Sequence, residues 1–318
     1  MPSPVFDSVT EASARTLTRM ALDEDLGDRG DLTCLSTIPA ELQATVNIVS
    51  RQNGIVSGLP VVPIVFEMLP GSVSWSQRLR DGDPVRRGSI LASMTGPVRT
   101  LLTGERTVLN FLTHLSGIAS RTADFVEQVR GTRAVILDTR KTLPGYRRLQ
   151  KYAVRCGGGA NHRMGLCDGI LIKDNHLAAR GDSSCAAAVA DARRFLNTGK
   201  SLGDSQGLCA PASADTRGFA ASIDAGATIE IEVDTLTQLR DALNEHPEIV
   251  LLDNMPLEML WNSVTLRDEY SPLTRLEASG GVTLETVRAI AETGVERISV
   301  GSLTHSSPAL DLGFDWPW

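Results

Sequence analysis

Basic side chains concentrate in one segment of an otherwise acidic chain. Between residues 138 and 173, eight basic residues stand against two aspartates, a local charge of about +6 in a chain of net charge −7. This excess predicts a site for a small, strongly anionic ligand, because arginine forks bind carboxylates and phosphates at two points. The alternative is a solvated helix face, which fits Arg140, Lys141 and Lys173 poorly because each of them ends a β-like run.

Two turns that contain glycine follow late β-like runs, just before segments with helical patterns. They are Ser279-Gly280-Gly281 and Val300-Gly301-Ser302. Backbone amides at such a turn, with a helix N-terminus behind them, can hold an anion, and barrels often bind phosphate after their last two strands. The two turns together therefore predict a phosphate site.

Carboxylates occupy a third group of positions. Glu230 and Glu232 alternate on one β-like run and share a face, and Asp253 closes the next run. Glu232 and Asp253 are therefore placed to converge on a ribose or a Mg²⁺ ion, which takes one or two carboxylates together with substrate phosphate oxygens. The alternative is that one carboxylate neutralises a nearby lysine. Taken together, these residues indicate phosphoribosyl chemistry or phosphosugar isomerisation, and they do not select between the two.

The elements that position these residues follow a repeating pattern from residue 131 onward. Short apolar runs rich in β-branched residues alternate with helix-like segments, which is typical of a parallel sheet covered by helices. Polar or glycine residues follow every run, and this is the rim at which (β/α) barrels carry their active sites. The predicted strands are Ala134–Leu137, Gly169–Ile172, Thr228–Val233, Glu248–Leu252, Arg275–Ala278 and Arg297–Val300.

The first hundred residues have a different pattern. A helix is predicted over residues 8–26, followed by short β-like runs that indicate an antiparallel sheet. A long helical stretch covers 97–130, with a predicted break at Ser116-Gly117. The stretch Asn197–Thr216 is rich in Gly, Ser and Ala, so it is predicted to be a loop or an insertion.

Composition narrows the class of protein. Hydrophobic residues make up 42% of the chain and charged residues 22%, as in a globular protein. No apolar run approaches the ~20 residues of a membrane-spanning helix, and no secretory signal is recognisable. The five cysteines include no Cys-x-x-Cys pair. We therefore expect a cytoplasmic protein with neither a nucleic acid nor a membrane as partner.

Seven ordered strings make the interpretation specific. The chain resembles the quinolinate phosphoribosyltransferase family, also called nicotinate-nucleotide pyrophosphorylase (carboxylating), over nearly its whole length. The strings that carry the resemblance are ALDEDLGDRGDLTCLSTIP (21–39), GERTVLNFLTHLSGIAS (104–120), DTRKTLPGYRRLQKYAVRCGGGANHRMGLCDGILIKDNHL (138–177), IEVDT (231–235), LLDNM (251–255), LEASGG (276–281) and ISVGSLTHS (298–306).

The resemblance implies an α/β fold with an N-terminal α/β sandwich domain (1–115) and an open seven-stranded α/β barrel (116–305), with the tail 306–318 packing back on the first domain. It also implies the reaction of a pentosyltransferase in de novo NAD biosynthesis. Quinolinate and phosphoribosyl pyrophosphate (PRPP) give nicotinate mononucleotide, carbon dioxide and pyrophosphate, with Mg²⁺ as cofactor. The implied assembly is a homodimer or a set of dimers in which Arg106 completes the neighbouring site.

Residue roles follow from the same resemblance. The catalytic residues it implies are Lys141, Lys173, Glu232 and Asp253, of which the two acids also hold the metal. The residues for quinolinate are Arg106, Thr139, Arg140, His162, Arg163 and Lys173. Those for the phosphate of PRPP are Ser279, Gly280, Gly281, Val300, Gly301 and Ser302. His176 lies close to this set in sequence, without an assigned role.

Two alternatives to this assignment are weighed. One is a relative with the same fold that acts on another aromatic acid, and the complete set Arg106, Arg140, His162 and Arg163 favours quinolinate over it. The other is an anion-binding protein without catalysis. The presence of Lys141, Glu232 and Asp253 argues against that alternative, since binding alone does not require both acids.

Overall fold

The structure, a computed structural model, describes residues 4–198 and 228–316. The predicted insertion Asn197–Thr216 falls outside these residues from position 199 onward, so it stays a prediction. In the part of the chain that is described, no helix combines the length and the apolar character that crossing a membrane requires.

Packing divides the chain into two compact units. The first unit consists of Met1–Glu127, Lys141–Asn161 and Gly301–Trp318. The second unit consists of Gln128–Arg140 and His162–Val300. The domain boundaries inferred from the sequence stay a prediction.

The first unit contains an antiparallel sheet. Its helices are α1 (Ser8–Leu26), α2 (Leu32–Thr37), α3 (Val61–Glu67), α4 (Val98–Gln128), α5 (Arg147–Cys156) and α11 (Ser302–His305). Its strands are β1 (Gln43–Ser50), β2 (Gly54–Ile55), β3 (Ser74–Gln77), β4 (Pro84–Val85), β5 (Ile90–Pro97) and β12 (Leu312–Asp315). Four of them form the sheet in the order β12-β1-β5-β3, and β2 pairs with β4. Strand β12 therefore brings the C-terminal segment into the sheet of the first unit.

Helix α4 is continuous, so the break predicted at Ser116-Gly117 is wrong. Both residues instead serve close packing inside the first unit. A Cβ at Gly117 would lie 2.1 Å from the carbonyl oxygen of Pro308, and the Ser57 N–H donates to the Ser116 hydroxyl at 3.0 Å. Glycine is therefore required here by the close approach of another segment, and it does not interrupt the helix.

The second unit alternates strands with helices. Its strands are β6 (Val135–Leu137), β7 (Ile170–Ile172), β8 (Ile229–Val233), β9 (Ile249–Asp253), β10 (Arg275–Ser279) and β11 (Arg297–Ser299). Its helices are α6 (Asp174–Arg180), α7 (Cys185–Thr198), α8 (Leu236–Leu243), α9 (Leu257–Tyr270) and α10 (Val287–Glu292). All six predicted strands are confirmed, within one or two residues at each end.

The strands form one parallel sheet in the order β6-β11-β10-β9-β8-β7. Each step from β7 to β11 advances one place in the same direction, and β6, the first strand, pairs with β11, the last. A flat sheet would need a connection from β6 to β7 across its whole width, whereas an open barrel brings these edges near each other. The predicted fold class is confirmed, with six parallel strands among the described residues, where the resemblance implied seven.

Candidate active site

The parallel sheet brings the carboxyl ends of its strands to one rim. Lys173 follows β7 directly, Glu232 lies near the end of β8, and Asp253 and Ser279 end β9 and β10. Asp253 and Ser279 are paired in the register of these two strands. The rim therefore collects residues that are distant in sequence, as the pattern of strand ends predicts.

Two arginines of this unit, Arg140 and Arg163, interact through their charges, and both carry a buried donor without a partner in the described part of the chain, as Arg180 also does. The Nε–H groups of Arg140 and Arg163 are both buried, and neither finds a hydrogen-bond partner among the described residues. Burial, together with the positive charge of Arg140, lowers the pKa of the Arg163 guanidinium. Buried donors are almost always satisfied in folded proteins. Two like-charged forks with unused donors are therefore suited to a ligand that carries at least two negative charges.

The loop that carries Arg163 is organised by the two aspartates of the basic segment. The buried Asp138 accepts a hydrogen bond from the backbone N–H of His162 at 2.9 Å. Asp168 accepts one from the Gly165 N–H at 2.8 Å, and Arg163 itself donates from Nη1 to the Gly169 carbonyl at 2.9 Å. These acids therefore hold the loop that carries Arg163 in shape through backbone hydrogen bonds.

Lys173 and Glu232 form an ion pair at the rim. The alternative weighed from the sequence, that a carboxylate neutralises a lysine, therefore describes this pair. The Lys173 side chain is 42% exposed and that of Glu232 is 14% exposed, so the lysine can reach a ligand from the pair. His176, on the first turn of α6, accepts a hydrogen bond at Nδ1 from the Lys173 N–H at 2.9 Å, which ties it to the local backbone.

Asp253 is held next to the glycine turn that follows β10. The Asn254 side chain donates from Nδ2 to Asp253 Oδ2 at 2.9 Å, and its backbone N–H donates to the Ser279 carbonyl at 2.9 Å. Gly280 has φ +93°, and a Cβ there would lie 2.1 Å from Asn254 Oδ1. Gly281 also has a positive φ, of +59°. The turn therefore needs glycine at both positions. Asn254 was not among the residues predicted from the sequence, although it lies in the LLDNM string that carries the family resemblance.

His162 lies deeper in the barrel than the rim residues. Its Nε2 is 2.9 Å from Glu230 Oε2 and 3.5 Å from Glu277 Oε1, and Arg297 Nε is 2.6 Å from the other oxygen of Glu277. Burial lowers the pKa of the His162 imidazole, but the hydrogen bond and charge of Glu230 outweigh burial, so that the pKa is raised. Glu230 was singled out from the sequence without a role. Glu277 and Arg297, which lie within strands, were not predicted.

The remaining predicted residues are distributed over both units. Thr139 is half-buried beside Arg140, and the buried Val300 donates its N–H to the Leu137 carbonyl at 2.9 Å. In the first unit, Arg106 is exposed on α4. Lys141 also lies in the first unit, where its carbonyl accepts a hydrogen bond from the Thr304 hydroxyl at 2.7 Å. Thr304 belongs to α11, which begins at Ser302 directly after Gly301.

The residues predicted to hold Mg²⁺ fit that ion. Glu232 and Asp253 offer only carboxylate oxygens, and a pair of carboxylates leaves room for the phosphate oxygens that Mg²⁺ usually takes from its substrate. Within the described residues, a trio also gathers closely enough to hold an ion, namely His162, Glu230 and Glu277. That trio fits poorly, because His162 Nδ1 accepts a hydrogen bond from the Arg163 N–H at 2.8 Å, so Nε2 carries the hydrogen and offers no lone pair.

The parallel strands, the arginine pair and the carboxylates at the strand ends are typical of an α/β-barrel enzyme for small molecules. Comparison with known families agrees with this class. Residues 31–116 match the N-terminal domain of quinolinate phosphoribosyl transferase, and residues 118–201 and 212–315 match its C-terminal domain. The chain belongs to the quinolinate phosphoribosyltransferase family.

Individual relatives support the same conclusion. The nicotinate-nucleotide pyrophosphorylase [carboxylating] of Mycobacterium leprae is 42% identical over 305 residues, which cover 95% of this chain and 97% of the relative. A probable enzyme of the same name from Bacillus subtilis is 38% identical, over 92% of this chain and 89% of its own. The solved nicotinate-nucleotide pyrophosphorylase of Francisella tularensis has a TM-score of 0.81 at 32% identity and covers 96% of both chains.

Proposed function

We propose that this chain transfers the phosphoribosyl group of PRPP to quinolinate, with release of pyrophosphate and carbon dioxide, to form nicotinate mononucleotide for NAD biosynthesis. The half-buried pair Arg140 and Arg163, whose buried Nε–H donors are unused within the described residues, is the observation that supports this most directly. Quinolinate carries two carboxylates on adjacent ring carbons and is a dianion at neutral pH. A mono-acid such as nicotinate would leave part of the pair unsatisfied, which costs affinity.

The PRPP end of the site is assigned to the rim. The turns Ser279-Gly280-Gly281 and Val300-Gly301-Ser302 hold the 5′-phosphate through backbone amides. Glu232 and Asp253 would face the ribose and hold Mg²⁺, which would supply positive charge at the leaving group. The adjacency of Asp253 and Ser279 in the strand register supports this arrangement.

Phosphoribosyl transfer and decarboxylation then require correctly placed charged side chains and no protein nucleophile. As pyrophosphate departs, positive charge develops at C1 of the ribose, and the Glu232 carboxylate stabilises that charge. Lys173 and Lys141 stabilise the charge of the departing group. After transfer, the ring nitrogen is quaternary, so the pyridinium takes up the electrons that the departing C2 carboxylate leaves behind. We therefore assign no catalytic cysteine or serine.

A direct assay tests the proposal. Purified protein with PRPP, Mg²⁺ and quinolinate should release carbon dioxide and form nicotinate mononucleotide in equal amounts. The same protein with nicotinate in place of quinolinate should turn over far more slowly. Equal or faster turnover of nicotinate would remove the substrate assignment, and release of no product from quinolinate would favour a binding protein.

We also propose a homodimer, or an assembly of dimers, in which Arg106 acts on the neighbouring site. The exposure of Arg106 on α4 supports this. Arg106→Ala should raise the KM for quinolinate strongly and leave the protomer folded. Mixing it with Lys141→Ala should restore part of the activity, because a mixed dimer contains one site with both side chains intact. Stable mixed dimers without recovered activity would contradict the shared site.

A further inference from the structure

A chain of four ionisable side chains runs through the inside of the barrel. Arg297 contacts Glu277, Glu277 approaches His162, and His162 contacts Glu230. The side chains of Glu277 and Glu230 are only 0% and 4% exposed. Barrel interiors are usually filled with Val, Ile and Leu, and buried charges contribute little net stability even when they are paired. This chain of charges therefore calls for an explanation other than stability.

The central histidine is held at both ring nitrogens. The backbone N–H of Arg163 donates to Nδ1 at 2.8 Å, and a backbone amide can only donate. Nδ1 therefore presents a lone pair, and Nε2 carries the hydrogen that points to Glu230 at 2.9 Å. In this state the ring links the backbone of Arg163 to a carboxylate on β8.

Glu230 also acts on the arginine pair through its charge. The positive charge of Arg140 disfavours the charged form of Arg163, and the negative charge of Glu230 opposes that effect. Two neighbouring guanidinium groups repel each other when no ligand lies between them. A buried carboxylate nearby offsets that repulsion and keeps both forks in place.

On this basis, which rests on the proposed function, we propose that Glu230 and Glu277 are positioning residues for the dicarboxylate site. Glu230 orients His162, which in turn fixes the backbone of Arg163. Glu277, anchored by Arg297, approaches the same Nε2 atom at 3.5 Å and restricts the position of the His162 ring. Neither carboxylate touches the substrate, and both act through Arg163.

The unused oxygens of these two acids support the proposal. Glu230 Oε1 and Glu277 Oε1 are both buried and lack a hydrogen-bond partner in the described part of the chain. Burial raises the pKa of Glu277, and the negative charge of Glu230 raises it further. A cluster that served stability alone would be expected to satisfy these atoms. Perturbed pKa values of this kind concentrate at functional sites.

The test compares Glu230→Gln and Glu277→Gln with the matched control Glu296→Gln. Glu296 also lies in the second unit, and its carboxylate pairs with the buried Arg267 at 3.0 Å. Steady-state kinetics give KM for quinolinate and for PRPP, calorimetry gives the Kd for the dianion phthalate, and thermal unfolding gives Tm. We expect Glu230→Gln to raise the quinolinate KM and the phthalate Kd about tenfold, with the KM for PRPP changed less than about twofold. Glu277→Gln should act in the same direction with a smaller effect.

The control separates positioning from general loosening of the barrel. Glu296→Gln should lower Tm and leave the phthalate Kd unchanged. An unchanged Kd in both Glu230→Gln and Glu277→Gln, or an equal rise in Glu296→Gln, would overturn the proposal. If the wild-type protein neither binds phthalate nor converts quinolinate, the proposed function fails instead.

Glu230→Asp keeps the experiment decisive if the Gln variant does not fold. It retains the charge and withdraws the carboxylate from Nε2 by one methylene. A folded Glu230→Asp protein with weakened phthalate binding supports positioning through His162. Wild-type affinity in that variant would contradict it.

Discussion

Each unit buries a cluster with acidic side chains, and the two clusters differ in how many of their carboxylate oxygens accept a hydrogen bond. In the first unit Asp81, 8% exposed, accepts hydrogen bonds from the Gly58 N–H at 2.8 Å, the Leu59 N–H at 3.0 Å and the Tyr152 hydroxyl at 2.7 Å. In the second unit Glu230 and Glu277 each keep one buried oxygen without such a partner among the described residues. Both oxygens of Asp81 therefore accept hydrogen bonds, whereas Glu230 and Glu277 each keep one oxygen without a donor in the part of the chain that the structure describes.

The difference has a physical consequence for each cluster. Burial raises the pKa of Asp81, and its three hydrogen bonds oppose that rise. For Glu277, burial also raises the pKa, but a second carboxylate adds to the effect. A buried carboxylate with all its hydrogen bonds made holds separate segments of the chain together. A buried pair of carboxylates with unmade hydrogen bonds is tolerated where function needs an electrostatic field or a fixed geometry. If Glu230 and Glu277 act as proposed, the comparison separates buried charge that stabilises the fold from buried charge that serves the site.

The largest change in free energy should come from replacing Asp81, whose carboxylate accepts three hydrogen bonds. Asp81→Ala leaves three buried donors without an acceptor, so we expect the free energy of unfolding to fall by about 3–5 kcal/mol. Urea denaturation measures this loss. In the fraction that folds, the KM for quinolinate should stay at the wild-type value.

Asp83→Ala is the matched control for that substitution. Asp83 lies two residues away and accepts one hydrogen bond, from the Arg80 N–H at 2.8 Å. Its removal should lower stability by no more than about 1 kcal/mol. Similar losses from Asp81→Ala and Asp83→Ala would remove the distinction on which the comparison depends.

The next largest change in free energy should come from the arginine pair Arg140 and Arg163, whose Nε–H donors are unused among the residues described. Arg163→Ala removes a charge-assisted contact to the substrate, so transition-state stabilisation obtained from kcat/KM should fall by about 2–4 kcal/mol. Stability should change little, because repulsion from Arg140 is relieved as one hydrogen bond is lost.

An arginine with engaged donors supplies the control for Arg163. Arg193, on α7, pairs with Glu248 at 3.0 Å and donates to the His246 carbonyl at 3.0 Å. Arg193→Ala should lower Tm and leave kcat/KM for quinolinate intact. If Arg193→Ala lowered kcat/KM and Arg163→Ala lowered only Tm, unused donors would not identify the binding site.

The smallest change in free energy should come from a substitution in the glycine turn after β10. Gly280→Ala forces a side chain at φ +93° against Asn254, and the strain should amount to about 1–2 kcal/mol. The KM for PRPP should rise, since the turn is assigned to its phosphate. Gly117→Ala, which meets the Pro308 carbonyl in the first unit, should lower Tm without changing that KM. An unaltered KM for PRPP in a folded Gly280→Ala protein would remove the phosphate assignment from this turn.

Much of the fold could be predicted from local patterns. The six barrel strands are short apolar runs bounded by polar or glycine residues, and their bounds agree with the structure to within one or two residues. The helix over residues 8–26 agrees as well, with Asp7 as its N-cap accepting from the Thr10 N–H at 2.8 Å. The break at Ser116-Gly117 failed because glycine can mark close packing as well as a helix end, and only the position of residue 308 distinguishes the two.

The candidate site was predictable only in part. Arg140, Lys173, Glu232 and Asp253 could be singled out because each lies at or near a strand end, where polar residues are informative. Glu277 and Arg297 could not, because a charged residue within a short strand is equally compatible with an exposed face. Asn254 was passed over because its contact with Asp253 and its fit against Gly280 depend on the turn of a neighbouring strand.

The order of residues alone determined the class of fold, the family and the basic segment, since periodicity, ordered motifs and net charge are properties of the linear chain. Tertiary structure decided which charges are satisfied. Hydrogen bonds act over about 3 Å, so whether Arg163 keeps a free donor or Glu230 reaches His162 depends on how separate strands are brought together when the barrel forms.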